Sequence, residues 1–136
     1  MNPIPSVGVL IIQNNKVLLV KHRKGAGNIE GIYGLPAGRI ESGEDPKDTA
    51  VRELQEETGL TALPNDLVSL GREWKAVIKR KEGPKEFTIL VFRCNTFQGT
   101  LAPSDETIPV WIDINKIDGY PLLPNMKEII MEGGRL

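Results

Sequence analysis

The stretch from Gly38 to Leu60, GRIESGEDPKDTAVRELQEETGL, constrains this chain more than any other. Its fixed positions are Gly38, Glu44, Arg52, Glu53, Glu56, Glu57 and Gly59, with apolar Leu54 and Leu60 completing the pattern Gly-x5-Glu-x7-Arg-Glu-U-x-Glu-Glu-x-Gly-U, where U is apolar. Seven identities and two apolar positions in fixed register arise by chance at a given start about once in ~10⁹ to 10¹⁰. Ser42 and Asp45 are candidate N-caps. Pro46 suits the first helical turn, where its missing N–H would be orphaned anyway, and Gly59 suits the stop. The spacing predicts a helix over residues 46–58. On its wheel Glu56 and Glu57 lie within about 60° of Glu53, so the three carboxylates share one face. Ala50, Val51, Leu54 and Thr58 form the neighbouring face, which should pack on the core.

Carboxylates crowded in this way repel one another along a helix. A hard divalent cation such as Mg²⁺ or Mn²⁺ removes the conflict, because it prefers oxygen ligands and commonly bridges carboxylates to phosphates. Three glutamates alone also fit a solvated acidic face. The glycines, Arg52 and Glu44 at their fixed spacings favour the metal.

The complete pattern resembles the box of the Nudix hydrolases. The resemblance implies a single Nudix domain over residues 1–136, with an α/β (α+β-like) fold in which a mixed β-sheet is sandwiched between helices. It implies hydrolysis of a nucleoside diphosphate linked to another moiety. By motif position, Glu53, Glu56 and Glu57 hold the metal, with a main-chain carbonyl at Ala37 or Gly38 as a further ligand. Arg52 orients Glu53, and Glu44 holds Arg52. The base that activates water is Glu53 or, as in family members that use a later loop, a carboxylate at Asp105-Glu106. Glu106 is the candidate chosen there, against the reading of a polar turn beside Pro103 and Ser104.

Markers outside the box narrow the substrate. The ADP-ribose type carries a downstream proline where this chain has Lys75 and Ala76, and Val77 is not the tyrosine of the diadenosine polyphosphate type. Residues 21–38 lack the arginine-rich signature of the coenzyme A type. These absences favour a MutT-like enzyme that splits a purine (d)NTP, ordinary or oxidised, into monophosphate and pyrophosphate. The alternatives are a hydrolase of ADP-ribose or another nucleotide sugar, or a non-catalytic nucleotide-binding module, against which the intact box glutamates argue. Residues 17–23 resemble the MutT strand whose terminal arginine, here Arg23, contacts the nucleotide. Pro124-Asn125 resembles the element whose asparagine reads a purine edge, although a turn or cap role explains Asn125 equally well.

The remaining residues supply a scaffold. Strands are expected at 7–12, 17–20, 67–78, 86–94 and 109–112, with a loop over a pocket at 21–33 and a last helix at 124–132. A hydrophobic content of 40% and charged content of 26% suit a globular domain. The formal net charge of −1 gives no electrostatic case for nucleic acid polymers or anionic membranes. No apolar run is long enough to span a bilayer and the N-terminus lacks a signal-peptide pattern, so a cytoplasmic enzyme is expected. Its partner is a small-molecule nucleotide, and the sequence leaves a homodimer open. Cys94, the single cysteine, reads as a buried strand thiol. His22, the single histidine, reads as a strand-end surface residue, the cations near residue 81 as a solvated hairpin, and Trp74 and Trp111 as partly buried anchors.

Overall fold

Alternation of apolar side chains along the first strand divides the protein into two cores. In a computed structural model, which describes residues 2–24 and 29–135, strand β1 (Ile4–Leu10) sends Val7 and Val9 to one side and Leu10 to the other. Helix α1 (Pro46–Thr58) covers the first side, where Ala50 and Leu54 meet Val7, Val9, Leu18 and Phe92. Helix α2 (Met126–Gly133) covers the second, where Met126, Ile129 and Ile130 meet Leu10, Leu19, Trp74 and Val91.

Between the helices lie two sheets. Strands β2 (Ile12–Gln13), β3 (Lys16–His22) and β4 (Tyr33–Gly34) form one antiparallel path, and β8 (Thr107–Asp113) also pairs with β3. The other sheet has the order β5 (Ala37–Arg39), β1, β7 (Gly83–Cys94), β6 (Leu67–Arg80). The β1–β7 pair is parallel and the rest antiparallel, so this sheet is mixed, as expected. Short 3₁₀ turns at Pro64–Asp66 and Ile114–Gly119 add to the expected elements. Strand β6 carries a register shift between Ser69 and Glu73, where Gly71 adopts φ 84°.

Helix α1 has the expected limits. Asp45, rather than Ser42, is its N-cap and accepts from Lys47 N at 2.9 Å, and Gly59 ends it with φ 83°. Its buried face takes Thr49 in place of Val51, which is only half-buried. The last helix begins at Met126, two residues later than expected, because Asn125 stands in the left-handed region at φ 69°. Arg72 fixes α2 to β6: its guanidinium lies 4.4 Å from the Trp74 ring centroid and pairs with Glu128 and Glu132 at 3.2 and 3.1 Å. Trp74 and Cys94 are buried, and burial pushes the Cys94 thiol pKa up, which suits an inert strand residue. Among the described residues no helix is long and apolar enough to cross a membrane.

Candidate active site

The strand β5 sits at the end of its sheet, against the carboxylate face of α1. Gly38 pairs with Val7, and a Cβ added to Gly38 would collide with Cδ and Oε1 of Glu53. The glycine is therefore a steric requirement of the carboxylate's position. We expect Gly38→Ala to displace Glu53, lowering kcat by at least about 10-fold and stability by about 1–3 kcal/mol. Paired activity and melting measurements on this variant check the result.

Arg52 is the hub behind the site. Its Nε and Nη2 donate to the two oxygens of Glu44, each at 3.0 Å, and Nη1 donates to Glu53 Oε1 at 2.8 Å. Glu56 approaches the same Nη1 at 3.5 Å, one helical turn away. The bidentate Arg52 contact holds the Glu44 carboxyl down to about 2 and raises the Arg52 guanidinium pKa. Glu44 also accepts from Glu41 N at 3.1 Å. Glu44 thus lies behind Arg52 on the side away from the carboxylates.

Burial drives the electrostatics of the other two carboxylates. The Glu53 pKa is raised, chiefly by desolvation and next by Glu56, despite the opposing Arg52 charge. Glu57 is pushed up to about 8, again chiefly by burial, although its Oε1 accepts from Ala37 N at 2.7 Å. Glu106 adds to that upward push from the bend before β8. It is brought there by Thr107, whose Oγ1 donates to the Glu57 carbonyl at 3.1 Å. Ser104 organises the turn before it by accepting from the amides of Glu106 and Thr107 at 3.2 and 2.9 Å.

These groups open into a cavity of about 500 Å³. Gly38, Glu53, Glu57 and Glu106 line it together with an apolar wall that includes Leu35, Ala76, Ile78, Phe87, Ile89 and Met126. Arg52 and Glu44 stand behind this lining, and Glu56 lies on the exposed flank of the helix. Two candidates are outside the described lining. Arg23 Nη1 donates to the Ser104 carbonyl at 2.9 Å. Asn125 lies between the lining residues Pro124 and Met126, but its Nδ2 donates to Lys75 O at 2.9 Å. Its side chain caps nothing on α2.

Asn125→Ala should cost about 1–2 kcal/mol through the lost bond and the left-handed backbone, and Asn125→Gly less. Melting measurements on the two variants check the result.

His22 differs from expectation. It is half-buried, its Nδ1 lies 2.7 Å from the Ile32 carbonyl, and its ring lines the cavity. Because a carbonyl only accepts, Nδ1 carries the proton. Burial, more than any other influence, lowers the ring's pKa. Arg39, Arg80 and Lys81 also line the cavity. The last two belong to the hairpin expected to be merely solvated, and Arg39 has no role in the sequence pattern. The signal available for Arg39 is its position beside the box glycine.

The site thus joins a mixed sheet, a carboxylate-faced helix held by one arginine, and a mixed polar and apolar cavity. The chain matches the NUDIX domain over residues 2–132 and belongs to the Nudix family. It is 43% identical over 70 residues to Nudix hydrolase 25 of Arabidopsis thaliana, covering 52% of this chain and 37% of that protein. It is 35% identical over 109 residues to the oxidized purine nucleoside triphosphate hydrolase of Danio rerio, covering 80% of this chain and 65% of the relative. The chain therefore spans less than two thirds of either relative. In fold it resembles the crystal structure of the MutT Nudix hydrolase from Burkholderia pseudomallei, with a TM-score of 0.82 at 19% identity over 97% of this chain and 98% of that one.

Proposed function

We propose that this chain hydrolyses the pyrophosphate linkage of a nucleoside diphosphate joined to another moiety. The substrate is a purine (d)NTP, ordinary or oxidised, and the products are the nucleoside monophosphate and pyrophosphate. The observation that carries this reading is the projection of Glu53 and Glu57 from one helix face into a cavity with an apolar wall. The wall suits a base, and the carboxylates suit a cation that binds phosphate. Likeness to the purine triphosphate hydrolase over most of the chain supports the choice of substrate.

The donor types suit Mg²⁺ or Mn²⁺. Glu53, Glu56 and Glu57 in the last two turns of α1 and the Gly38 carbonyl on β5 are hard oxygens, and burial raises the pKa of Glu53 and Glu57. Among the described residues no three candidate groups already converge as a metal cage. Their oxygens are instead engaged by Ala37 N and Arg52. When bound, the cation neutralises phosphate charge and makes water more acidic. Arg52 orients Glu53, and Glu44 fixes Arg52. Glu53 takes the proton of the attacking water, with Glu106, in the bend before β8, the alternative acceptor. Arg23 would reach a nucleotide by leaving the Ser104 carbonyl, while Asn125 would offer Oδ1 as an acceptor.

A substrate panel in Mg²⁺ tests this reading. It should include purine, oxidised purine and pyrimidine triphosphates alongside ADP-ribose. Release of monophosphate and pyrophosphate, fastest from a purine triphosphate, is the expected result. Preferred cleavage of ADP-ribose to AMP and ribose phosphate would move the assignment to nucleotide sugars, and no cleavage of any member would remove it.

A further inference from the structure

Three cations, Arg39, Arg80 and Lys81, line the cavity. Arg39 follows Gly38 on β5, so its backbone lies one residue from the carboxylates. Its guanidinium is 6.0 Å from the Phe87 ring centroid and has no hydrogen-bond or ion-pair partner among the described residues. Arg52, by contrast, commits its donors to Glu44 and Glu53. Phe87 pairs with Ala76, and from there Ile78, Arg80, Lys81 and Glu82 carry the cavity wall toward the tip of the β6–β7 hairpin. From Phe87 to the turn at Gly83 the strand runs about 13 Å. Three cations therefore line the route from the carboxylates to the tip, with Glu82 opposing them.

This arrangement bears on which phosphate chains the proposed hydrolase accepts. With the base against Leu35, Leu123 and Met126 and the reacting phosphorus near Glu53 and Glu57, the rest of the phosphate chain would run outward past Arg39. The carboxylates alone would repel it. A terminal phosphate carries close to a second negative charge at neutral pH, whereas a phosphate esterified to a sugar does not. A guanidinium offers it a fork of donors, and the Phe87 ring centroid lies 6.0 Å from the Arg39 guanidinium.

We propose that Arg39, assisted by Lys81, forms an outer subsite for the terminal phosphates of a nucleoside triphosphate, favouring phosphate chains with a free end over those capped by a sugar. The proposal rests on the nucleotide-hydrolase reading. Inorganic pyrophosphate and dGMP are titrated calorimetrically, in Mg²⁺, into wild type, Arg39→Ala, Arg39→Lys and the Arg39→Ala/Lys81→Ala pair. Arg39→Ala should weaken pyrophosphate binding about tenfold and Arg39→Lys by less, with dGMP affinity and melting temperature unchanged. The ratio of kcat/KM for dGTP over ADP-ribose should fall in parallel. Pyrophosphate affinity equal to wild type in the double variant, or no pyrophosphate binding by wild type, overturns the subsite. Failure of wild type to hydrolyse any nucleotide would instead remove the functional reading, and the pyrophosphate titration is read without turnover.

Discussion

Replacing Glu57 by glutamine should lower turnover by about 10³-fold while making the metal-free protein more stable at pH 8. The activity loss follows from removing a charged oxygen donor at the cavity. The stability gain follows from burial. In the folded chain the Glu57 carboxyl is pushed up to about 8 from an ordinary 4.5. Between those values the folded state keeps a proton that the unfolded chain has released. Stability from this group is therefore complete below about pH 4.5 and is lost as pH rises through about 8. From pH 5 to 8 the loss is on the order of 3 kcal/mol, or roughly 10 °C in melting temperature. Glutamine stays neutral, and its Oε1 can still accept from Ala37 N. Melting curves in chelator across this pH range should be flatter for Glu57→Gln than for wild type. A variant with wild-type activity would remove Glu57 from the proposed metal site, and one with the same pH slope would contradict the burial of its carboxyl.

Chelation should have an equally large effect. Excess EDTA is expected to abolish turnover, and added Mg²⁺ or Mn²⁺ to restore it. Ca²⁺ should support nucleotide binding better than turnover, since its looser and higher coordination holds attacking and leaving oxygens less well for in-line displacement. Initial rates after dialysis into each cation check this. Full activity in excess EDTA would contradict a metal-dependent reaction.

The limits of α1 are legible in the sequence because they follow from short-range rules, and the Arg52–Glu44 pairing because the resemblance to the box implies it. Asp45, Pro46 and Gly59 have local backbone preferences, and the box fixes the spacing of Glu44 and Arg52. Strand β1 is harder to read. It starts at Ile4 rather than Val7, because Pro5 and Ser6 join a parallel pairing with β7 far along the chain. The short strands β4 and β5 have no period of their own, and arise from long-range pairing to β3 and β1.

The cavity wall is illegible for the same reason. Ala76, Phe87, Ile89 and Met126 come from three elements, and no sequence spacing relates them. His22 resembles a surface residue in the sequence because its partner, Ile32, lies 10 residues further along the chain. Asn125 is legible as a special position, being next to proline. Its partner on β6, Lys75, is not.

The most direct test of the central claim compares dGTP hydrolysis in Mg²⁺ by wild type and by the Glu53→Gln/Glu56→Gln/Glu57→Gln variant, after circular dichroism shows that both are folded. Wild type should release dGMP and pyrophosphate in equal amounts, and the folded variant should release neither above background. Equal rates from the two proteins, or dGDP and inorganic phosphate as the wild-type products, would contradict a metal-dependent pyrophosphohydrolase built on these glutamates.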